Sequence, residues 1–200
     1  ITGSDVVDRV AVSGNRAVVS NSQSFAFVVN VTDPDLPTLY SRFPSFGLSE
    51  DVKIVGDHAY LIGSGYLRQY DISDPANPIE TGTSSGLGAA GRRLAISNNR
   101  AYVAAYSHLA ILDISTPPTF STLAVRNTEL GYTRSVTVSG TTVFAGPDNE
   151  GVSIIDVANP ADPHLISQAG DGEHSFDNAV LGNLLYTASN YGLKTYSISN

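Results

Sequence analysis

Charged and aromatic side chains stand in adjacent pairs at a fixed step along the chain: Asp8/Arg9, Glu50/Asp51, Arg92/Arg93, Arg134/Ser135 and Phe176/Asp177, each 42 residues after the last. Tyr132 and His174 precede the last two pairs by two residues. Two chemistries fit these types. Asp8, Glu50, Asp51 and Asp177 could supply the acid and base of a glycoside hydrolase, whose carboxyl groups stand about 5–5.5 Å or about 6.5–9.5 Å apart. Arg92, Arg93 and Arg134 carry planar forks that match carboxylate or phosphate. Side chains that differ between copies of a repeated frame are where such a frame builds a binding site. Asp8, Arg9, Glu50, Asp51, Arg92, Arg93, Tyr132, Arg134, His174, Phe176 and Asp177 are therefore candidate ligand contacts around a central mouth. Acids in the first two copies and arginines in the third and fourth would polarise that mouth and orient a small polar or anionic ligand. Mutual salt bridges plugging a narrow channel are the competing reading.

Other chemistry-bearing residues have structural readings. Asp71, Asp113 and Asp156 recur at one place before a Pro-containing turn, where a carboxylate accepts backbone N–H bonds. Asn30-Val31-Thr32 has the form of a glycosylation acceptor, but Asn30 replaces that same turn residue. Asp148-Asn149-Glu150-Gly151 is the one acidic loop cluster; hard cations want oxygen ligands, yet three consecutive side chains do not converge readily on one ion. His58, His108, His164 and His174 fall at unrelated places in the repeat, which does not suit a zinc site of three or four convergent ligands. No nucleophile elbow, phosphate loop or dinucleotide fingerprint occurs in context, and no metal or cofactor is implied.

The frame that must position these residues is written as a repeat. Val52-Lys53-Ile54-Val55-Gly56-Asp57-His58-Ala59-Tyr60-Leu61-Ile62 has counterparts turning at residues 14, 98, 140 and 182. Apolar residues alternate before each turn, as in Val10/Val12, Val52/Ile54, Leu94/Ile96 and Val136/Val138, the period of a β-strand; Asn178 breaks this pattern in the fifth copy. An aromatic follows the turn in Tyr60, Tyr102, Phe144 and Tyr186. A denser apolar run, a Pro-punctuated turn and an edge segment complete four strands per unit. No helical period intervenes. A four-stranded unit of this size is that of a β-propeller blade, and radial closure removes exposed sheet edges. The expected fold is an all-β five-bladed β-propeller, one domain over residues 1–200. Its blades are expected at about 6–47, 48–90, 91–131, 132–173 and 174–200, with residues 1–5 completing the last.

Tyr70-Asp71-Ile72-Ser73-Asp74-Pro75-Ala76-Asn77-Pro78 and Ile154-Ile155-Asp156-Val157-Ala158-Asn159-Pro160 resemble the signature of LVIVD repeats. Gly131-Tyr132-Thr133-Arg134-Ser135-Val136 resembles the run that opens each repeat of that family. The first and fifth copies are degenerate, with Asn30 and Ser197 at the signature Asp. The resemblance implies a propeller of a bacterial or archaeal surface or secreted protein. It brings no catalytic residues.

Composition narrows the function classes. A net charge of −8 and a pI near 4.7 do not suit nucleic acid, which needs a basic face. No apolar run approaches the ~18 residues of a spanning helix. With no Cys, neither disulfides nor thiolate metal sites can form. The chain opens on Ile1, which a removed signal peptide or excision would explain, and low charge with abundant Ser, Thr and Asn leans towards an extracellular or cell-surface location. The expectation is a binding or scaffold module without catalytic activity, its partner a small polar or anionic ligand or another surface protein. Glycoside hydrolase and structural subunit of a surface assembly are the rival readings.

Overall fold

The structure, a computed structural model, describes residues 7–21, 24–45, 49–87, 91–127, 132–148, 151–170 and 172–198. The expected role of residues 1–5 in the fifth blade lies outside them, as do Asn149 and Glu150. The chain forms two compact units, Ile1–Gly91 with Ile114–Phe120, and Arg92–Asp113 with Ser121–Asn200. Among the described residues there is no helix.

In the first unit, β1 (Val7–Ser13), β2 (Arg16–Asn21), β3 (Phe25–Asn30) and β4 (Thr38–Pro44) pair antiparallel in chain order. β5 (Ser49–Val55), β6 (His58–Gly63), β7 (Tyr66–Asp71) and β8 (Ile79–Ser84) repeat that order. The second unit holds β9 (Gly91–Ser97) from Arg92 on, β10 (Arg100–Ala105), β11 (His108–Asp113) and β12 (Thr119–Asn127) from Ser121 on. It also holds β13 (Thr133–Ser139), β14 (Thr142–Pro147), β15 (Val152–Asp156) and β16 (His164–Ala169), then β17 (Ser175–Leu181), β18 (Leu184–Ser189) and β19 (Gly192–Ser197). The strands group by hydrogen bonding as four, eight, four and three. Among the described residues, four repeats thus carry the expected four strands and the last carries three, but five separate sheets do not emerge. The cause lies at β12: its first two residues belong to the first unit, where Thr119 and Phe120 pair parallel with Thr83 and Ser84. β8, expected as a solvent-facing edge, is covered there.

Turn chemistry fixes the hairpin between the first two strands of each repeat. Gly14, Gly56, Gly140 and Gly182 have φ near +58°, from +57° to +59°, and Asn98 and Asn99 have φ of 50° and 57°. A left-handed residue at the first position of a two-residue loop matches the right-handed twist of the strands it joins. Asp71, Asp156 and Asn30 serve the next turn as expected: each side chain accepts the N–H two residues on, from Ser73, Ala158 and Thr32 at 2.8, 2.8 and 3.0 Å. That bond, to Ser73, is the main cause holding the Asp71 carboxyl below its usual range.

The cores lie between consecutive repeats. In the first unit Val18, Ala26, Val28 and Phe43 pack on Val52, Ala59, Leu61, Tyr70 and Ile72, with the Phe43 and Tyr70 rings 4.8 Å apart. In the second, Tyr102, Ala104, Leu109 and Ile111 meet Val136, Val143, Ala145 and Ile155. Phe144 and Val152 then meet Leu185. Asn178 departs from this rule because it anchors a buried polar network. Its amide donates to Ser135 Oγ at 2.8 Å, and its carbonyl accepts from Ser175 and Thr187 at 3.1 and 2.9 Å. Buried amides are tolerated when satisfied in this way.

Gly82 shows how closely the parallel bridge packs: a Cβ there would collide with the fully buried Phe120 ring. Gly82→Ala is expected to cost about 1–3 kcal/mol through overpacking and to lower the melting temperature by several degrees, read by circular dichroism. An unchanged melting temperature would mean that β12 is not held against β8.

Candidate ligand site

The candidate pairs occupy one recurring break in the ladder. The first hairpin's register slips between Val7 and Arg9, and the slip recurs between Ser49 and Asp51, Thr133 and Ser135, and Ser175 and Asp177. The extra residue of each bulge is the first member of a pair: Asp8, Glu50, Arg134 and Phe176. Arg92 is the counterpart by the 42-residue step. A bulge residue leaves the pleat's alternation, so its side chain can be aimed independently of the sheet faces.

The second members brace the backbone instead. Arg9 donates to the carbonyls of Asp8 and Glu50 at 2.9 and 3.1 Å, tying two bulges together in the first unit. Arg93 donates to the Arg92 carbonyl at 2.7 Å. Asp51 and Asp177 each accept the N–H of the following residue at 2.9 Å. Ser135 belongs to the buried Asn178 network. Of the four acids that could have served a hydrolase, Asp51 and Asp177 are thus engaged with backbone, while Asp8 is exposed and Glu50 half-buried in the first unit.

In the second unit the structure brings Arg92, Arg93, Tyr132, Arg134 and Phe176 around one small cavity of about 110 Å³. Tyr132 is the shelf: the Arg92 and Arg134 guanidinium carbons lie 4.4 and 5.2 Å from its ring centroid. Tyr106 meets that ring edge-on at 5.1 Å and lies 5.3 Å from Arg92. Cation–π contacts of this kind attract a guanidinium group to a ring. Arg134 is further fixed by Asp148, through Nε to Oδ1 and through Nη2 to Oδ2 at 2.9 Å. His174 Nδ1 reaches the same Oδ1 at 3.1 Å, and its ring stacks with Phe176 at 6.3 Å. Arg134, then, is paired with an acid of its own repeat, and the two hydrogen bonds leave further guanidinium N–H groups to offer. Three of the five residues lining the pocket are arginines.

Asp148 and Tyr106 were not among the sequence candidates. Both stand just past the second strand of a repeat, 42 residues apart, so the step that found the pairs also marks this second ring of variable positions. Asp148 belongs to the acidic loop considered for a cation, and the structure turns it to Arg134 and His174. Among the described residues no group of three or more His, Asp and Glu could hold a metal ion. A larger cavity of about 670 Å³, lined by residues that include Ser139, Phe144, Ile154, Ile166, Asn183 and Ile198, has no charged side chain in its lining.

The Arg134 bonds hold the Asp148 carboxyl below its usual range, with a smaller contribution from His174. A depressed folded-state value stabilises above the unfolded value near 3.9 and stops doing so as pH falls through the folded one. Because Arg134 is partly exposed, the expected contribution is only about 0.2–1 kcal/mol. Asp148→Asn should therefore be less stable than wild type by that amount in urea at pH 7. The difference should shrink as pH falls through the lowered folded-state value; a gap that does not shrink in acid would show that packing, not charge, holds the loop.

The LVIVD repeat profile matches residues 46–85, 88–123 and 130–169. No curated protein matches the chain. Two solved structures similar in fold are the computationally designed Ika8 protein and a chain of the mitotic checkpoint complex. The first aligns with a TM-score of 0.78 at 14% identity, over 96% of this chain and 58% of that one. The second aligns with a TM-score of 0.80 at 12% identity, over 97% and 62%. The chain thus spans about three-fifths of the length of both. At such identity the likeness shows the fold, all-β and propeller-like.

Proposed function

Because the chain belongs to the LVIVD repeat family, we propose that it supplies five blades of a β-propeller. In this reading it works as an extracellular or cell-surface binding scaffold that receives an anionic group in the Arg92–Tyr132–Arg134–Phe176 pocket. The observation that carries this reading is the pair of arginines held on one tyrosine ring beside a cavity. A volume of about 110 Å³ is far below the ~300–1,000 Å³ of a drug-sized site. It suits a carboxylate or phosphate group at the end of a larger molecule, with the body of that molecule outside. Asp8 and Glu50, presented by the same bulge in the first unit, are assigned to contacts with polar groups. Arg9, Arg93 and Asp177 are assigned to holding the bulges in shape.

Calorimetric titration with glucuronate, inorganic phosphate and a short poly-glutamate peptide tests the assignment. A charge-assisted hydrogen bond is worth about 1.5–3 kcal/mol, so Arg92→Ala should weaken the best of these probes roughly 10- to 100-fold, and Tyr132→Ala should weaken it too. No binding by wild type, or equal binding by wild type and Arg92→Ala, overturns the proposal.

A further inference from the structure

The anion pocket of the second unit has a titratable group built in beside it. Asp148 Oδ1 accepts from two sides, from Arg134 Nε and from His174 Nδ1 at 3.1 Å, while Oδ2 accepts from Arg134 Nη2 at 2.9 Å. The three side chains come from three places: Arg134 from the bulge of β13, Asp148 directly after β14 and His174 directly before β17. His174 is held where it stands. Its backbone N–H donates to Asn190 Oδ1 at 3.0 Å, and its carbonyl accepts the Asn190 N–H at 3.3 Å. Its ring stacks on that of Phe176, which lines the cavity with Arg92 and Arg93.

Charge decides what this triad does. With His174 neutral, Arg134 and Asp148 cancel, and the triad presents no net charge to the pocket. A neutral ring facing a carboxylate carries its proton on Nδ1, so Nε2 is the atom that takes up another in acid. Protonation brings the triad to a net positive charge and gives Asp148 Oδ1 a second cationic partner. Arg134, bound to that same oxygen, is then less compensated towards an incoming anion. Among the described residues, two other acids lie next to His174 along the chain. Glu173 has Lys194 of β19 at 3.2 Å, and Asp177 accepts the N–H of Asn178; neither bonds to the imidazole.

We propose that His174 is a proton-operated control of this site: its protonation strengthens capture of an anionic group, and a bound anion strengthens its hold on the proton. The two effects are one coupling, which is reciprocal by linkage. The control rests on the anion pocket proposed above.

Calorimetric titration of the whole chain with glucuronate and with sulfate tests it, since neither probe changes charge between about pH 5.5 and about pH 8, where histidines ordinarily do. Wild type is expected to bind the better probe about three- to tenfold more tightly at the acid end. Binding should also take up protons, seen as a heat that varies with the buffer's ionisation enthalpy. His174→Gln, with a neutral hydrogen-bonding group beside Asp148, should bind with one affinity across the range and without proton uptake. His164→Gln, altered beside Asp156 instead, should keep the wild-type response. Equal binding at both ends, or a response that survives in His174→Gln, overturns the control and leaves the pocket standing. Absence of binding at every pH overturns both. Should His174→Gln not fold, NMR titration of the His174 ring in wild type decides: glucuronate should move its midpoint to higher pH, and an unmoved midpoint overturns the control.

Discussion

Everything in this protein rests on apolar contact between the faces of consecutive sheets. A four-stranded sheet of about 40 residues has two faces and no interior of its own, so it holds only by lending one face to the repeat before and the other to the repeat after. Within the first unit this is the contact of Val28 and Phe43 with Val52 and Tyr70. Within the second it is that of Ile111 with Val136 and of Phe144 with Leu185. The alternation that makes both faces apolar also fixes register, since a slip of one residue would turn every core side chain the other way. Asp8, Glu50, Arg92 and Arg134 each stand second in their strand, at the margin of these cores.

The bulge at the start of each repeat converts that frame into a display. Its extra residue is released from the in-and-out alternation, so its identity is not constrained by either face: an acid, an arginine and a phenylalanine occupy equivalent places in Asp8, Arg134 and Phe176. The residue after it meets the opposite demand. Arg9, Asp51, Arg93 and Asp177 all bond to backbone at the bulge, by donating to a carbonyl or accepting an N–H, because the broken ladder leaves polar groups that need partners. One local irregularity thus separates a contact residue from a supporting one at adjacent positions.

The repeat length, the four-strand unit and the role of the turn carboxylates were legible in the sequence, because each has a periodic or local signature. Val52/Ile54 alternate, Gly56 marks a primed turn, and Asp71 precedes its Pro turn. The bulge was not, since it recurs at the same place in four copies and leaves the 42-residue step intact. The division of labour within Glu50/Asp51 was hidden for the same reason. Asp148 was weighed only as part of an acidic loop because its partner Arg134 lies across a hairpin. Asn178 looked like decay of the pattern; only the juxtaposition of Ser135, Ser175 and Thr187 shows that the apolar contact was exchanged for a satisfied polar one. The parallel contact of Phe120 with β8 depends on the missing side chain of Gly82, a cue with no period at all.

The central claim is that the sheet faces hold the frame while the bulge residues merely ride on it. The most direct measurement is thermal unfolding of a variant in which Asp8, Glu50, Arg92, Arg134 and Phe176 are all Ser, compared with Val52→Asp alone. At about 2–4 °C per kcal/mol for a chain of this size, the serine variant is expected to unfold cooperatively within about 5 °C of wild type. The single buried aspartate, with no partner for its charge, should fall much further or not fold. A serine variant that loses cooperative unfolding, or drops as far as Val52→Asp, would contradict the account.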